Sequence, residues 1–143
     1  IKHWDVGEHE FLQAISVVYK ESLVFYFFWK GFYQAGKLSA KGVSDEEHKL
    51  EAHKTYQFAL DCAKSGTYDL IVCDEINNAV NDGLLTKAQL TKLIGGRAEK
   101  TSLCLTGRNF PKELIDSVDI ATNMTKIKHH FDDKFLANPG IDY

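Results

Sequence analysis

The chain has 143 residues, 44% hydrophobic and 26% charged, an ordinary balance for a soluble globular protein with room for one sizeable core. A formal net charge of −3 gives no electrostatic case for nucleic acid or an anionic membrane, and no apolar run reaches the roughly 20 residues that cross a bilayer. The three cysteines form no C-x-x-C pair; Cys73 and Cys104 lie in apolar runs, which reads as buried structural thiols in a reducing, cytoplasmic compartment.

Phe11, Leu12, Ile15 and Val18 recur at helical spacing and predict a helix over residues 7–19. Residues 23–29, LVFYFFW, are aromatic and apolar and predict a strand. An irregular loop follows over 30–37, rich in glycine, lysine and aromatics, and leads into 38–43. Its rings, with Trp29, Phe32 and Tyr33 among them, exceed what one strand needs to bury. A flat hydrophobic ligand would use them, although a plain aromatic core patch is the commoner explanation.

Ser44 and Glu47 form a capping box, in which each satisfies an orphan amide at a helix start. Leu50, His53, Tyr56, Leu60 and Ala63 then mark one helix face, and Gly66 supplies a left-handed cap. Residues 70–74 read as a strand buried on both faces, 76–80 as a short helical turn, and Asp82-Gly83 as a turn. Thr86 and Gln89 repeat the capping box for a helix through Leu90, Leu93 and Ile94, ended by Gly95-Gly96. Residues 102–106 read as another buried strand, Pro111 opens a helix to Val118, and 120–124 form a last strand before a polar tail over 126–143. Alternating strands and helices predict an α/β fold, a mostly parallel sheet with helices on both faces, in a single domain over 1–143.

Candidate chemistry gathers at strand ends. Ligands in open α/β sheets bind at the carboxyl ends of the strands. Asp74 and Glu75 follow the apolar run Leu70-Ile71-Val72-Cys73, where a metal–phosphate group would be held, as after the Walker-B strand of a P-loop fold. A buried strand leading into a helix with acids in its first turn fits these two residues equally well. Thr106-Gly107-Arg108-Asn109 follows the next strand, and the planar fork of Arg108 suits phosphate; a surface arginine in a loop is the plainer alternative. Lys128, His129 and His130 precede Asp132. Adjacent histidines in an extended segment point to opposite sides and make a poor shared metal site, so one imidazole orienting a phosphate and a solvated basic loop are both open. No G-x-x-x-x-G-K-[ST] phosphate loop is present, and Ile1-Lys2-His3-Trp4 is not an initiator sequence. A first strand, the phosphate loop, its helix and most of a second strand are therefore expected upstream, which makes the P-loop NTPase-like (RecA-like) fold N-terminally incomplete.

The order of these segments resembles the ATP:corrinoid adenosyltransferases, the cob(I)yrinic acid a,c-diamide adenosyltransferase family. The resemblance rests on the run from Ser65 through Asp74-Glu75 to Asn77, on Leu105-Thr106-Gly107-Arg108, on Val118-Asp119, on Ile127-Lys128-His129 with Phe131-Asp132, and on Gly140-Ile141-Asp142-Tyr143. It implies transfer of the 5′-deoxyadenosyl group of ATP to Co(I) of a corrinoid, with release of triphosphate. It implies Mg²⁺, with Mn²⁺ as the alternative, at Asp74 and Glu75. It gives Glu75 and Arg108 catalytic roles, and substrate contacts to Thr106, Gly107, Arg108, Lys128 and His129. Aromatic residues of the family displace the lower axial ligand of cobalt. Gly31-Phe32 matches the family's Gly-Phe-x-Trp segment, with Gln34 where the tryptophan stands, so Phe32 keeps part of that wedge and Trp29 or Tyr33 supplies the rest. A reductase as electron donor and a homodimer are further implications. Two other readings remain at this point, a different P-loop ATPase or kinase without corrinoid, and a non-catalytic remnant.

Overall fold

A computed structural model describes residues 7–20, 22–26 and 44–136. The chain divides into two compact units, one of Ile1–Phe27 with Thr122–Tyr143 and one of Phe28–Ala121.

In the first unit, α1 spans Gly7–Val18, as the spacing predicts. Leu12 and Ile15 are half-buried, whereas Phe11 and Val18 are exposed. The ring of His9 lies 5.7 Å from that of Phe25, tilted by 42°. Residues 23–26 are irregular, not the expected strand, and 27–29 lie outside the described residues. β-propensity expresses packing against neighbouring strands, and here no described strand pairs with this run. A short 3₁₀ helix, His130–Asp133, lies in the tail, where Lys126 Nζ holds both carboxylate oxygens of Asp132 at 2.7 and 2.8 Å.

The second unit carries the sheet. α2 runs Asp45–Ser65, opened by the Ser44–Glu47 capping box and closed by Gly66 at φ 64°. β1 (Leu70–Cys73), α3 (Ile76–Asn81), α4 (Lys87–Gly96) and β2 (Ser102–Leu105) follow. The predicted Thr86–Gln89 capping box opens α4. The two glycines expected to end this helix lie inside it instead. A Cβ on Gly96 would stand 3.5 Å from Leu60 Cδ1, so the small residue lets α4 lie close to α2. A 3₁₀ helix over Lys112–Ser117 replaces the helix expected after Pro111. Residues 120 and 121 are irregular and Ile120 is exposed; in the other unit 122–124 are likewise irregular, so the last expected strand does not form.

β1 and β2 pair in parallel, Leu70 opposite Ser102 through Cys73 opposite Leu105. Ile71, Cys73, Leu103 and Leu105 face a core built on Leu60, Ala63, Leu90 and Leu93 from α2 and α4. The alternate residues Leu70, Val72, Ser102 and Cys104 are exposed, which corrects the expectation of strands buried on both faces. Four apolar residues in a row carry no period, and among the described residues helices cover one face only. Cys104 is therefore not a buried thiol. Cys73 is the protected one, its thiol pushed up to about 11 by burial first and by the neighbouring Cys104 and Cys62 second. The buried turn of α2 also differs from expectation at its start, where His48 is buried and Leu50 and His53 are exposed.

Candidate functional site

The parallel register brings two strand ends to one edge. Asp74-Glu75 and Thr106-Gly107-Arg108 leave the sheet side by side, and Thr106 joins them. Its N–H donates to the Cys73 carbonyl at 3.2 Å, and its own carbonyl accepts from the Asn77 N–H at 3.2 Å. Its hydroxyl accepts from the Glu75 N–H at 2.9 Å and donates to Asp74 Oδ1 at 2.5 Å. The polar groups of Thr106 are thus spent on the end of β1 and the first turn of α3. The sequence names Thr106 as a candidate contact; the structure makes it the rivet between the two acids and the arginine loop.

Glu75 sits at φ 55°, ψ 17°, a left-handed conformation that costs a non-glycine residue about 1–2 kcal/mol. Its side chain makes no capping hydrogen bond, and the first turn of α3 contains no acid. Glu75 stands at the N-cap of α3, but a side-chain cap does not account for it. Both carboxylates are exposed at the edge.

The loop after β2 is bent by two further residues of positive φ, Gly107 at 119° and Asn109 at 54°. It lies flat on α3. A Cβ on Gly107 would stand 3.0 Å from both Asn77 Cβ and Asn78 Oδ1. The Arg108 N–H donates to Asn78 Oδ1 at 2.8 Å, and Asn81 Nδ2 donates to the Arg108 carbonyl at 2.6 Å and to the Asn77 carbonyl at 2.8 Å. The guanidinium is on the exposed side, and among the described residues it forms no ion pair. The sequence pattern does not single out Asn78 or Asn81. The available signal was three asparagines in the six-residue run INNAVN, where weak helix formers ask for a reason.

Two carboxylates beside a phosphate-suited arginine form a hard-oxygen donor set of the kind Mg²⁺ takes. Among the described residues no three His, Cys, Asp or Glu side chains converge as a metal cluster. A magnesium ion held by one or two carboxylates and by phosphate oxygens requires no such cluster. Lys128 and His129 belong to the first unit. There the rings of His129 and His130 stack, centroids 4.5 Å apart and 26° between planes, so the tight turn overrides the alternation expected of an extended segment. Trp29, Phe32 and Tyr33 lie outside the described residues, as do residues 140–143.

The sequence model of the ATP:corrinoid adenosyltransferase BtuR/CobO/CobP family matches residues 1–143, and the chain belongs to that family. It is 30% identical over 95 residues to a corrinoid adenosyltransferase of Sinorhizobium sp, covering 64% of this chain and 44% of that protein. It is 22% identical over 98 residues to the corrinoid adenosyltransferase of Escherichia coli K12, covering 68% and 50%. A third relative, corrinoid adenosyltransferase CobA of Salmonella typhimurium, is 28% identical over 75 residues, 52% of this chain and 38% of that protein. The matched stretches thus span half or less of these relatives' length.

Proposed function

We propose that the protein transfers the 5′-deoxyadenosyl group of ATP to Co(I) of a corrinoid. The cobalt gives the electron pair of the new Co–C5′ bond, the C5′–O bond of ATP breaks, and triphosphate leaves. The observation that carries this reading is the edge where Thr106 ties Asp74-Glu75 to Gly107-Arg108, in a chain of this family. As the C5′–O bond breaks, negative charge grows on the leaving triphosphate, and preorganised cationic groups lower the barrier most at that point. The fork of Arg108 would take two phosphate oxygens. Asp74 and Glu75 would hold Mg²⁺, which supplies further neutralisation of the same oxygens. Gly107 lets the backbone approach them without a side chain in the way.

The same reading places the sheet in a P-loop NTPase-like, RecA-like fold. Lys128 and His129 would contact substrate, and Phe32 with Trp29 or Tyr33 would form the lower corrinoid face. A reductase as electron source, a homodimer and a cytoplasmic location complete the proposal. No helix among the described residues is long and apolar enough to cross a membrane.

The test is a spectral assay of the full-length protein with Mg–ATP and chemically reduced corrinoid. Light-sensitive adenosylated product is expected. Glu75→Gln should lower turnover about 10- to 100-fold by weakening the hold on Mg²⁺, with corrinoid affinity unchanged. ATP hydrolysis without any adenosylated corrinoid would overturn the transferase reading. Unchanged turnover of Glu75→Gln at limiting metal would overturn the site.

A further inference from the structure

Arg108 stands in an exposed loop, where main-chain groups ordinarily bond to water and the backbone is free to move. Its main chain is instead gripped from both sides. The N–H donates to Asn78 Oδ1 at 2.8 Å and the carbonyl accepts from Asn81 Nδ2 at 2.6 Å. Asn78 and Asn81 are one turn apart on α3, so they present to the same side of the helix. The second N–H of Asn81 bonds the Asn77 carbonyl at 2.8 Å, which fixes the direction of its amide. The flanking residues leave no slack, since Gly107 lies against Asn77 and Asn78 and the Thr106 carbonyl accepts from the Asn77 N–H.

We infer that Asn78 and Asn81 are positioning residues that fix the origin of the Arg108 side chain for a triphosphate. The inference rests on the phosphate role given to Arg108 above. A planar fork donates two parallel hydrogen bonds only when its Cα is held near one place and one direction. A loop that wanders by an ångström converts a bidentate contact into a single one. Neither asparagine touches the ligand in this scheme; each acts through the Arg108 backbone. Helix stability alone would favour alanine or lysine at both positions.

The experiment is a double-mutant cycle on the full-length protein, with Mg–ATP affinity read by calorimetry and the thermal midpoint recorded for every variant. Asn78→Ala should weaken Mg–ATP binding about three- to tenfold, the value of one lost hydrogen bond of ordinary strength. In an Arg108→Ala background the same substitution should change affinity less than about twofold, because its route to the ligand is gone. Asn78→Asp keeps an oxygen acceptor for the Arg108 N–H and should restore most of the affinity. An equal loss in both backgrounds, or a lowered midpoint with unchanged affinity, would overturn the positioning role and leave the phosphate role of Arg108 standing. Unchanged affinity in Arg108→Ala itself would overturn that phosphate role, and the positioning inference with it.

Discussion

Gly107→Ala probes the site through its backbone. At φ 119° the residue lies beyond even the left-handed helical region, and a side chain there costs about 1–3 kcal/mol in strain. The added Cβ would also stand 3.0 Å from Asn77 Cβ, 3.0 Å from Asn78 Oδ1 and 3.2 Å from the Asn78 amide nitrogen. Asn77 is 3% exposed and the third atom is backbone, so two of the three neighbours have nowhere to go. Overpacking of that kind adds about 1–3 kcal/mol, while alanine's stiffer unfolded chain returns about 0.4–1 kcal/mol. The net expectation is a loss of about 1–5.5 kcal/mol by the same terms. Gly83→Ala is the matched control, since its φ is 73° and its Cβ would meet nothing within 4 Å. It should show the strain less the same unfolded-chain gain, about 0–1.5 kcal/mol. Urea unfolding of both variants separates the two terms. A Gly107→Ala loss no larger than that of Gly83→Ala would refute the close packing of the arginine loop on α3.

Three further outcomes follow from the same geometry. Glu75→Gly should raise unfolding stability by about 0.5–1 kcal/mol, because relief of left-handed strain exceeds the added unfolded-state entropy, while the proposed adenosyl transfer falls at least as far as in Glu75→Gln; a lowered urea midpoint would contradict the strain. Leu93→Ala, at 0% exposure between α2 and α4, should cost about 2–5 kcal/mol in the same assay, and a loss under 1 would mean that the core is not centred there. The thiol of Cys73 ionises near 9.0 when unfolded and at about 11 when folded, so the native state holds its proton longer. Stability from this group is therefore complete below pH 9 and falls as pH rises to about 11, by at most roughly 1.4 kcal/mol per pH unit. Cys73→Ala should flatten that alkaline loss, and parallel stability–pH curves for the two proteins would refute the assignment.

What could be read from sequence was local chemistry. Ser44 with Glu47, Thr86 with Gln89 and Gly66 each satisfy groups within a few residues, so their roles do not depend on the rest of the molecule. The parallel pairing of β1 with β2 was legible as well, because the intervening helices leave few other routes. Burial was less legible. Leu70 and Val72 look like core residues and are 59% and 56% exposed, since an unbroken apolar run says nothing about how many faces are covered. Gly96 reads as a helix stop and is a helix-packing residue, because its reason is Leu60 on another helix. The candidate site divides the same way. Asp74, Glu75, Thr106 and Arg108 could be named because strand ends can be found from sequence. Asn78 and Asn81 could not, because their partner is the backbone of a residue 27 or more positions away.

Strain and stability are kept apart in this unit. Glu75, Gly107 and Asn109 all have positive φ and all lie within a few residues of the two strand ends. The fully buried leucines, Leu60, Leu90 and Leu93, lie in α2 and α4 on the covered face of the sheet. A left-handed residue persists only where its surroundings hold it, and here Thr106, Asn78 and Asn81 do so with hydrogen bonds that arise outside the strained segment itself. The same bonds leave the exposed carboxylates and the guanidinium as the groups at this edge with capacity for a ligand. A site of this kind gains nothing from relaxation toward ordinary dihedral angles. Relaxing Glu75 or freeing the Arg108 loop would make the protein easier to fold or less constrained, and on the proposed function it would move the charges away from the place where triphosphate charge would develop.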